Sequence, residues 1–256
     1  MNNNNSVYSS ENVVRDYEKA DYLFPSEKKI LEILSGETGI KSMLDIGVGT
    51  GRTTKYFAPH FENYCGIDYS EMMIETCKKK FSHMPYSFKF ADARDLSEFQ
   101  NNSFDFVLFS FNGIDCVTIE ERAKVMNEIK RVCRPDGWFA FSSHSIYNVR
   151  KLYSFQTPRN PLKYLAAYNR MKKVKILNPV IREVEEADLM LLTDGDLDFT
   201  ASYVYIKPEY QEIILKENGF YEIKMFDEKG VEVNSANFAE WKHQDAWIHY
   251  LCRNGK

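Results

Sequence analysis

The sequence predicts an α/β fold in which a mostly parallel sheet carries helices on both faces. Strand and helix patterns alternate over residues 42–143, which is typical of strand–helix–strand units. An apolar strand runs into a turn with glycines at alternate positions, and a helix pattern follows that turn. Acidic residues end three successive strands, at Asp45, Asp68 and Asp92. Because ligands of such sheets bind at the carboxyl ends of the strands, these acids predict one shared site.

The chain begins with a predicted helical segment. Residues 12–34 have apolar side chains at helical spacing, interrupted at Pro25 because proline lacks the N–H that a continuous helix needs. The polar tail up to Tyr8 is expected to be disordered. The alternating part then contains strands 42–46, 63–67, 86–90, 104–110 and 137–143 and helices 52–58, 70–81 and 118–133.

The second half of the chain predicts an insertion and a closing set of strands. Residues 145–197 break the alternation, so we expect them to form a substrate lid. A strand over 199–206 and a helix over 208–218, with proline near its first turn, follow the lid. Strands 219–226 and 246–252 complete the pattern. The predicted division is a helical cover over 1–34, a core over 35–144 and 198–256, and a lid over 145–197.

Composition excludes several classes of protein. A chain of 256 residues is long enough for one large α/β domain with an insertion, and its formal charge of −4 gives no overall signal for nucleic acid. No apolar run approaches the ~18 residues of a membrane span, and the polar start is unlike a secretion signal. The five cysteines are scattered and never spaced C-x-x-C, which favours reduced thiols in a cytoplasmic protein and no metal site.

The glycine turn predicts the kind of ligand. Gly47, Gly49 and Gly51 allow a tight turn and bring bare backbone against a ligand, at the N-terminus of the following helix. A dinucleotide motif has its third glycine where Arg52 stands, and the Gly-Lys-Ser/Thr ending of a phosphate-binding loop is missing. Asp45 would repel phosphates, but it could hold an ammonium group. The turn therefore favours a nucleoside ligand without a polyphosphate.

Four landmarks resemble the class I S-adenosylmethionine-dependent methyltransferases. They are Asp45-x-Gly47-x-Gly49-x-Gly51 followed by Gly66-Ile67-Asp68, then Phe90-Ala91-Asp92-Ala93, Phe104 to Phe109, and Arg131 to Phe139. The resemblance extends from Leu31 to Ser143 and, more weakly, over the C-terminal strands. It implies a Rossmann-like, seven-stranded, mostly parallel sheet with a lid inserted after the fifth strand. It also implies S-adenosylmethionine as cofactor and S-adenosylhomocysteine as product.

The resemblance assigns roles to the acids of the predicted site. Asp68 would accept both ribose hydroxyls, with capping of the next helix at Ser70 as the alternative. Asp45 would hold the methionine ammonium, directly or through water, or form hydrogen bonds within the turn. Asp92 would bind the adenine amino group or cap its own loop. The full predicted cofactor set is Asp45, Gly47, Gly49, Gly51, Asp68, Tyr69, Met73, Asp92, Ala93 and Phe109.

The end of the fourth strand bears on the methyl acceptor. Relatives that methylate DNA adenine or protein glutamine carry Asn/Asp-Pro-Pro-Tyr/Phe there, whereas this chain has Ser110-Phe111-Asn112-Gly113. The difference favours a small molecule, methylated on oxygen or nitrogen. His144 is the candidate base, with a strand-end histidine bonded to backbone as the alternative. The predicted substrate residues are Tyr17, Asn112, Tyr203 and Tyr205. Weaker candidate bases are Asp115, Glu183, Glu185, Glu186 and Asp188.

The lid has an unusual charge pattern. Residues 150–182 contain nine Arg or Lys and no Asp or Glu, with aromatic residues interleaved, and acids follow at once. The pattern fits a solvated helix that pairs with those acids, a site for an anionic small substrate, or contact with RNA phosphates. We rank RNA lower because the overall charge is negative. Two further alternatives are a nicotinamide-dependent oxidoreductase and a non-catalytic cofactor-binding protein.

Overall fold

The computed structural model describes residues 11–242 and 245–255, which form one mixed sheet with helices on both faces. The predicted α/β class with a mostly parallel central sheet is confirmed. The predicted count of seven strands is wrong, because ten strands lie in the described part of the chain. The prediction of disorder up to Tyr8 concerns residues outside the described ranges.

The strands are short in the N-terminal half and longest at β5 and β10. Their bounds are β1 Ser42–Ile46, β2 Asn63–Asp68, β3 Ser87–Phe90, β4 Phe104–Phe109, β5 Cys133–Ser145, β6 Leu189–Leu192, β7 Tyr203–Ile206, β8 Phe220–Phe226, β9 Glu232–Val233 and β10 Trp247–Asn254.

The α-helices follow the predicted alternation up to β5 and continue through the lid. Their bounds are α1 Glu11–Glu18, α2 Pro25–Ser35, α3 Thr54–Phe57, α4 Glu71–Lys80, α5 Ile119–Val132, α6 Val149–Tyr153, α7 Tyr164–Leu177, α8 Ile181–Glu186, α9 Pro208–Glu217 and α10 Phe238–Trp241. Short 3-10 helices lie at Ala58–His60, Gly113–Cys116, Ile146–Asn148, Pro161–Lys163 and Asp196–Phe199. The break expected at Pro25 falls between α1 and α2, where Pro25 is the first residue of α2.

The strand order puts a switch point in the middle of the sheet. The order is β3-β2-β1-β4-β5-β10-β8-β9, and β1 pairs in parallel with both β2 and β4. The connection after β1 leads to β2 and the connection after β4 leads to β5, on the opposite side, which opens a crevice beyond the ends of β1 and β4. β10 runs antiparallel between β5 and β8.

Two of the observed strands, β6 and β9, have no counterpart among the strands predicted from the residues, whereas the strand predicted over 199–206 is present as β7. β6 and β7 form an antiparallel hairpin, and β7 extends the sheet at the end of β5, where His144 pairs with Tyr205. The hairpin joins residues on both sides of the predicted lid boundary, so β6 was missed inside a segment expected to be separate. β9 has only two residues at the sheet edge, too few to give an alternating pattern.

The core consists of two apolar layers on opposite faces of the sheet. Alternation along β4 sends Val107 to one layer and Phe106 and Leu108 to the other. Helices α5 and α9 cover the first layer, and α2, α3 and α4 cover the second. Each fully buried large side chain contributes about 1.5–3 kcal/mol relative to exposure. A third, smaller cluster joins the lid helices to β6 and β7.

Arg52 anchors the N-terminal helices to the glycine turn. Its guanidinium donates two hydrogen bonds of 2.6 Å to the buried carboxylate of Glu27 and one of 3.1 Å to the carbonyl of Tyr22. Burial alone would raise the pKa of Glu27, but Arg52 lowers that pKa by hydrogen bonding and charge. Arg52 stands where a dinucleotide motif has its third glycine. It therefore holds the N-terminal helices against that side of the site.

In the part of the chain that the structure describes, none of the helices combines the length and apolarity needed to cross a bilayer.

Candidate active site

Two cavities lie side by side beyond the carboxyl ends of β1, β2, β4 and β5. The first, here called the glycine-turn cavity, is lined by Gly47, Gly49 and Asp68 among others and has an empty volume of about 620 Å³. The second, here called the lid cavity, is lined by Asn112 and His144 among others, with an empty volume of about 1090 Å³. Tyr17, Phe111 and Cys116 line both. A molecule in one cavity would therefore contact the same wall as a molecule in the other.

Bare backbone forms one side of the glycine-turn cavity. Gly47 and Gly49 have φ values of 65° and 56°, a conformation that side chains rarely adopt. A Cβ at Gly49 would lie 3.5 Å from the ring of Tyr17, and one at Gly47 would lie 3.0 Å from the ring of Phe109. Gly51 has a different role: it is not among the residues that line the cavity, and a Cβ there would collide with Phe81.

Asp68 lies at the end of β2 and faces the glycine-turn cavity. Its Oδ2 accepts a hydrogen bond of 3.0 Å from Gly49 N–H, and its Oδ1 accepts one of 2.9 Å from Ser70 N–H. Burial raises the pKa of Asp68, and these backbone N–H groups oppose the increase. Each carboxylate oxygen retains a further lone pair that can accept a ligand hydroxyl. The carboxylate thus combines both predicted roles, as a brace of the local backbone and as a group facing the cavity.

The other predicted cofactor residues divide into two groups. Tyr69, Met73, Ala93 and Phe109 line the glycine-turn cavity with Asp68. The acids Asp45 and Asp92 are absent from the described lining of this cavity.

Asp45 and Asp92 have partners within the protein. Asp45 lies behind the turn, where its Oδ2 accepts hydrogen bonds from Thr53 Oγ1 at 2.6 Å and Tyr64 OH at 2.8 Å. Burial raises the pKa of Asp45 to about 6. Asp92 pairs with the side chain of Arg94 and accepts its backbone N–H, which makes it a loop cap. The ligand roles of Asp45 and Asp92 stay predictions.

The turn after β4 is strained. Phe111 and Asn112 have φ values of 54° and 55°, in the left-handed region that costs a non-glycine residue about 1–3 kcal/mol. A hydrogen bond of 2.8 Å from Asn112 N–H to Ser142 Oγ holds the turn against β5. In this strained conformation Phe111 lines both cavities and Asn112 lines the lid cavity. Such strain is typical of functional sites, and because neither residue is glycine the sequence did not reveal it.

His144 lies at the end of β5 with both ring nitrogens in hydrogen bonds. Its Nδ1 is 2.9 Å from Asp115 Oδ2, and its Nε2 is 3.2 Å from Asn112 Nδ2. Because an ionised carboxylate only accepts, the ring hydrogen belongs on Nδ1 and Nε2 is left as an acceptor. The arrangement brings together two residues that the sequence suggested separately, His144 and Asp115, and the role of His144 as a base stays a prediction.

Asp115 is fully buried and is itself held in place. Its Oδ1 accepts hydrogen bonds from Arg122 Nη1 at 2.5 Å and from Ser143 Oγ at 2.8 Å. Its Oδ2 also accepts the backbone N–H of His144 at 2.8 Å. Arg122 is fixed in turn by Gln211 Oε1 at 2.6 Å. The base is therefore oriented by groups on α5, α9 and β5, which are rigid parts of the core.

Tyr203 and Tyr205 line the lid cavity and also pack in the apolar cluster of the lid, and their role in binding substrate stays a prediction. The ring of Tyr205 stacks on His144 with centroids 4.8 Å apart. Tyr205 OH donates to Asp194 Oδ2 at 2.9 Å, and Tyr203 OH donates to Asp196 Oδ2 at 3.2 Å. Burial raises the pKa of Tyr205 well above 10, so the phenol stays protonated.

Several residues of the lid cavity were missed from the sequence. Asp194 and Asp196 lie just after the segment in which acids were considered, and only the pairing of β6 with β7 brings them to His144. Trp247 arrives from the start of β10, where its ring contacts Phe111 with centroids 5.2 Å apart. The signal available in the sequence was a group of three acids around Gly195 and Leu197, namely Asp194, Asp196 and Asp198.

The basic side chains of the lid point away from the lid cavity. Arg150 and Arg182 pair with Glu185 and Glu186, as expected for a solvated helix. Arg170 donates to the backbone carbonyl of Asp194 at 2.7 Å, and Lys173 lies 4.4 Å from the ring centroid of Phe199. Among the described residues that line the lid cavity, none is Arg or Lys.

Comparison with known proteins agrees with this geometry. Residues 44–141 match the family model of a methyltransferase domain. A probable S-adenosylmethionine-dependent methyltransferase of Saccharomyces cerevisiae is 32% identical over 105 residues, covering 40% of this chain and 35% of the yeast protein. An uncharacterised protein of Methanocaldococcus jannaschii is 28% identical over 200 residues, covering 77% of this chain and 70% of that protein. The chain thus spans about a third of the length of the yeast relative.

A solved structure extends the match to the fold of nearly the whole chain. An S-adenosylmethionine-dependent methyltransferase from Clostridium acetobutylicum superimposes with a TM-score of 0.64 at 16% identity, covering 96% of this chain and 97% of that one. Residues 44–141 therefore match the methyltransferase-domain family, and nearly the whole chain shares its fold with a solved S-adenosylmethionine-dependent methyltransferase.

Proposed function

We propose that this protein transfers a methyl group from S-adenosylmethionine to an oxygen or nitrogen atom of a small molecule held in the lid cavity. The observation that carries the proposal is the pair of adjoining cavities. One presents glycine backbone and the carboxylate of Asp68, and the other presents the base His144. The shared wall of Tyr17 and Phe111 is where the two ligands would meet.

The residues of the glycine-turn cavity fit the cofactor. Gly49 leaves bare backbone beside Tyr17, and Asp68 offers carboxylate oxygens at the end of β2. Met73 and Ala93 add apolar surface suited to a flat base. When bound, S-adenosylmethionine supplies a methyl group on a positively charged sulfur, which reacts with a nucleophile held in line with that bond.

The residues of the lid cavity would position the nucleophile and take its proton. Tyr17 and Phe111 are in edge-to-face contact, with centroids 5.8 Å apart, on the wall that both cavities share. His144 Nε2 would accept the proton of the acceptor, while Asp115 stabilises the positive charge that the imidazole gains. Such a positioned base typically contributes about 10²- to 10⁴-fold to the rate. Alignment of two bound reactants contributes further.

The size of the lid cavity supports a small acceptor. Without the adjoining open solvent its volume is about 470 Å³, which lies within the range of about 300–1,000 Å³ for small-ligand sites. Its walls come from α1, the strained turn, β7, β10 and the Asp194–Leu197 segment, which surround it on several sides. The outward-facing basic residues of α7 are the observation that keeps RNA as a second candidate substrate.

Calorimetry and a turnover assay test the proposal together. We expect S-adenosylhomocysteine to bind. We also expect the conversion of S-adenosylmethionine to S-adenosylhomocysteine to accelerate when mixtures of small amines, alcohols and phenols are supplied. No binding of S-adenosylhomocysteine would contradict the proposal, and enhanced NADH fluorescence on mixing would favour the oxidoreductase instead. Binding with no turnover on any mixture would indicate a non-catalytic binding protein. RNA binding that weakens steeply with salt would favour the RNA candidate.

A further inference from the structure

We propose that the lid cavity binds its acceptor as an ammonium ion, and that the acceptor is a small amine methylated on that nitrogen. This inference rests on the proposed function and narrows its substrate class. Three independent features of the lid cavity point to it: the charge of its walls, the aromatic rings among them, and a buried oxygen that lacks a donor.

The walls of the lid cavity carry negative charge. Asp16, Asp194 and Asp196 line it, and no Arg or Lys is found among its described lining residues. Asp194 and Asp196 accept hydrogen bonds from tyrosine hydroxyls, which are neutral and leave the carboxylate charge in place. Asp16 contributes less, because it is exposed and pairs with Lys19. A cation is attracted to these walls, and an anionic acceptor is repelled.

The nearest basic side chain of the lid does not neutralise this charge. Arg170 reaches the same loop, but its Nη2 donates to the backbone carbonyl of Asp194 and not to the carboxylate. Lys173 lies over the ring of Phe199. Neither Arg170 nor Lys173 pairs with the carboxylates of Asp194 and Asp196 through these contacts, and the described lining of the lid cavity contains no basic residue that would favour an anionic substrate.

Aromatic rings supply the second feature. Tyr17, Phe111, Tyr203, Tyr205 and Trp247 line the lid cavity. The faces of such rings attract cations, and their apolar surface packs against a hydrocarbon body. Together with the acids they form surroundings suited to an amine that carries an apolar group.

The third feature is the Oδ1 atom of Asn112. Asn112 is 2% exposed, and its Nδ2 donates to His144 Nε2 at 3.2 Å. None of the described residues donates a hydrogen bond to its Oδ1, although this atom is buried and the residue lines the lid cavity. An ammonium N–H supplies the missing donor, whereas a carboxylate or phosphate group has none to give.

The reaction on such an acceptor is balanced. The hydrogen bond from Asn112 Nδ2 to His144 Nε2 first breaks, which frees the single lone pair of Nε2. The bound ammonium then loses one proton to His144 Nε2, which passes it to water. The lone pair freed on nitrogen forms the new N–CH₃ bond, while the S–CH₃ bond breaks and its electron pair stays on sulfur. The products are the N-methylated ammonium, neutral S-adenosylhomocysteine and one released proton, so two positive charges enter and two leave.

Three probes of similar shape test the ammonium preference. Phenethylamine, phenethyl alcohol and phenylacetate are titrated calorimetrically into the protein, with and without saturating S-adenosylhomocysteine, at neutral pH. We expect phenethylamine to bind about tenfold or more tightly than phenethyl alcohol, a ratio that one charge-assisted hydrogen bond supplies, and phenylacetate to bind worst. Equal or tighter binding of the alcohol or the acid, or no detectable binding of the amine at millimolar concentration, would overturn the proposal.

Matched variants locate the preference. The double variant Asp194→Asn, Asp196→Asn keeps oxygens that can accept from Tyr205 and Tyr203 but removes both charges. It should bind the amine and the alcohol alike, while Asp198→Asn, an exposed acid of the same loop outside the cavity lining, should keep the preference. A preference that survives in the double variant would overturn the proposal.

The affinity for S-adenosylhomocysteine separates the two proposals. If the unaltered protein does not bind S-adenosylhomocysteine, the proposed function is refuted. Normal affinity without an amine preference would refute the present inference alone. The same affinity, measured in the double variant, reports whether that variant is folded.

Discussion

The two cavities share a wall but are built differently. In the glycine-turn cavity the principal polar group, Asp68, is braced by backbone N–H groups from Gly49 and Ser70. In the lid cavity the polar groups are braced by other side chains, as in the pairs Asp115–His144 and Tyr205–Asp194. The bare backbone and the carboxylate of the first come from the segments that follow β1 and β2, whereas the polar side chains of the second come from several separate parts of the chain.

This difference indicates how the two halves of the site can vary. A ligand held by backbone tolerates few changes, because moving the backbone moves the strand ends as well. A ligand held by side chains can be exchanged for another by changing those side chains, while the sheet stays as it is. We therefore expect substitutions in the two cavities to have separable effects, on cofactor affinity in one case and on the acceptor step in the other.

We expect His144→Gln to separate the acceptor step from cofactor affinity more strongly than the other variants do. Loss of the base should lower turnover with an amine acceptor by about 100-fold or more, because an imidazole is ordinarily a stronger base than the carboxylates of Asp194 and Asp196 that also line the cavity. The affinity for S-adenosylhomocysteine should not change, since His144 lies in the lid cavity alone. Turnover assays and calorimetry measure the two quantities.

The control for His144→Gln is the same change at the exposed His83, which is remote from both cavities. It should leave turnover and affinity as they are. Undiminished turnover in His144→Gln would show that the acceptor loses its proton directly to solvent, and the role of Asp115 would then be structural.

Gly49→Val is expected to have the reverse effect, on the cofactor alone. A β-branched residue at φ 56° is strained by about 1–3 kcal/mol. Its Cβ would be in ordinary contact with Tyr17, at 3.5 Å, so the backbone strain is the reason to expect the turn to move. If that strain opposes binding, the affinity for S-adenosylhomocysteine falls about 10- to 100-fold by calorimetry.

Gly39→Val is the matched control for Gly49→Val. Gly39 has φ 85° and open space where a Cβ would stand, so the same backbone strain arises far from the site. It should cost stability and leave the cofactor affinity unchanged. Equal losses of affinity in both variants would show that general destabilisation, and not the turn, is responsible.

Asp68→Asn tests the acid that faces the glycine-turn cavity. The amide keeps the shape of the side chain but loses the charge and one accepting oxygen, so cofactor affinity should fall about tenfold or more. Asp92→Asn serves as the comparison, because Asp92 pairs with Arg94 outside the cavity lining and its replacement should leave affinity nearly intact. The opposite ranking in calorimetry would exchange the roles of these two acids.

The sequence predicted the glycine-turn cavity better than the lid cavity, and the reason is local. Backbone turns are specified by neighbouring residues, so Gly47, Gly49 and Asp68 could be read from spacing alone. The positions of Asp194 and Trp247 depend on how β7 and β10 pair with β5, which no local pattern specifies. His144 was found because histidine titrates near neutral pH, but the partner that orients it, Asp115, is 29 residues away.

The sequence predicted that three strand-end acids contact the cofactor. Of these, Asp68 alone is among the described residues that line the glycine-turn cavity. Asp45 and Asp92 follow strands just as Asp68 does, yet hydroxyl groups from Thr53 and Tyr64 and the guanidinium of Arg94 satisfy them within the protein. A strand-end position therefore brings an acid to the correct edge of the sheet. Whether the side chain faces the ligand depends on the partners that the rest of the fold supplies.

The N-terminal helices α1 and α2 cover the site, and Tyr17 of α1 lines both cavities. His249 on β10 is buried against Phe24, with ring centroids 5.9 Å apart, and burial lowers its pKa from 6.5 to about 4. Between these values the unfolded chain binds a proton that the folded protein does not, so His249 makes the free energy of unfolding fall as pH falls. The slope is about 1.4 kcal/mol per pH unit.

Replacing His249 by phenylalanine should remove that slope without affecting either cavity at neutral pH. Urea denaturation followed by circular dichroism measures it: the unfolding free energy of the variant minus that of the parent should rise as pH falls from 6.5 towards 4. Asp45, whose pKa is raised to about 6, stabilises the fold as pH falls, but it is present in both proteins and cancels in the difference. A difference that is flat with pH, as expected for the exposed control His83→Phe, would mean that His249 becomes protonated in the folded protein. The cover would then have to admit water at Phe24, and the N-terminal helices would be bound more loosely than the Arg52–Glu27 pair indicates.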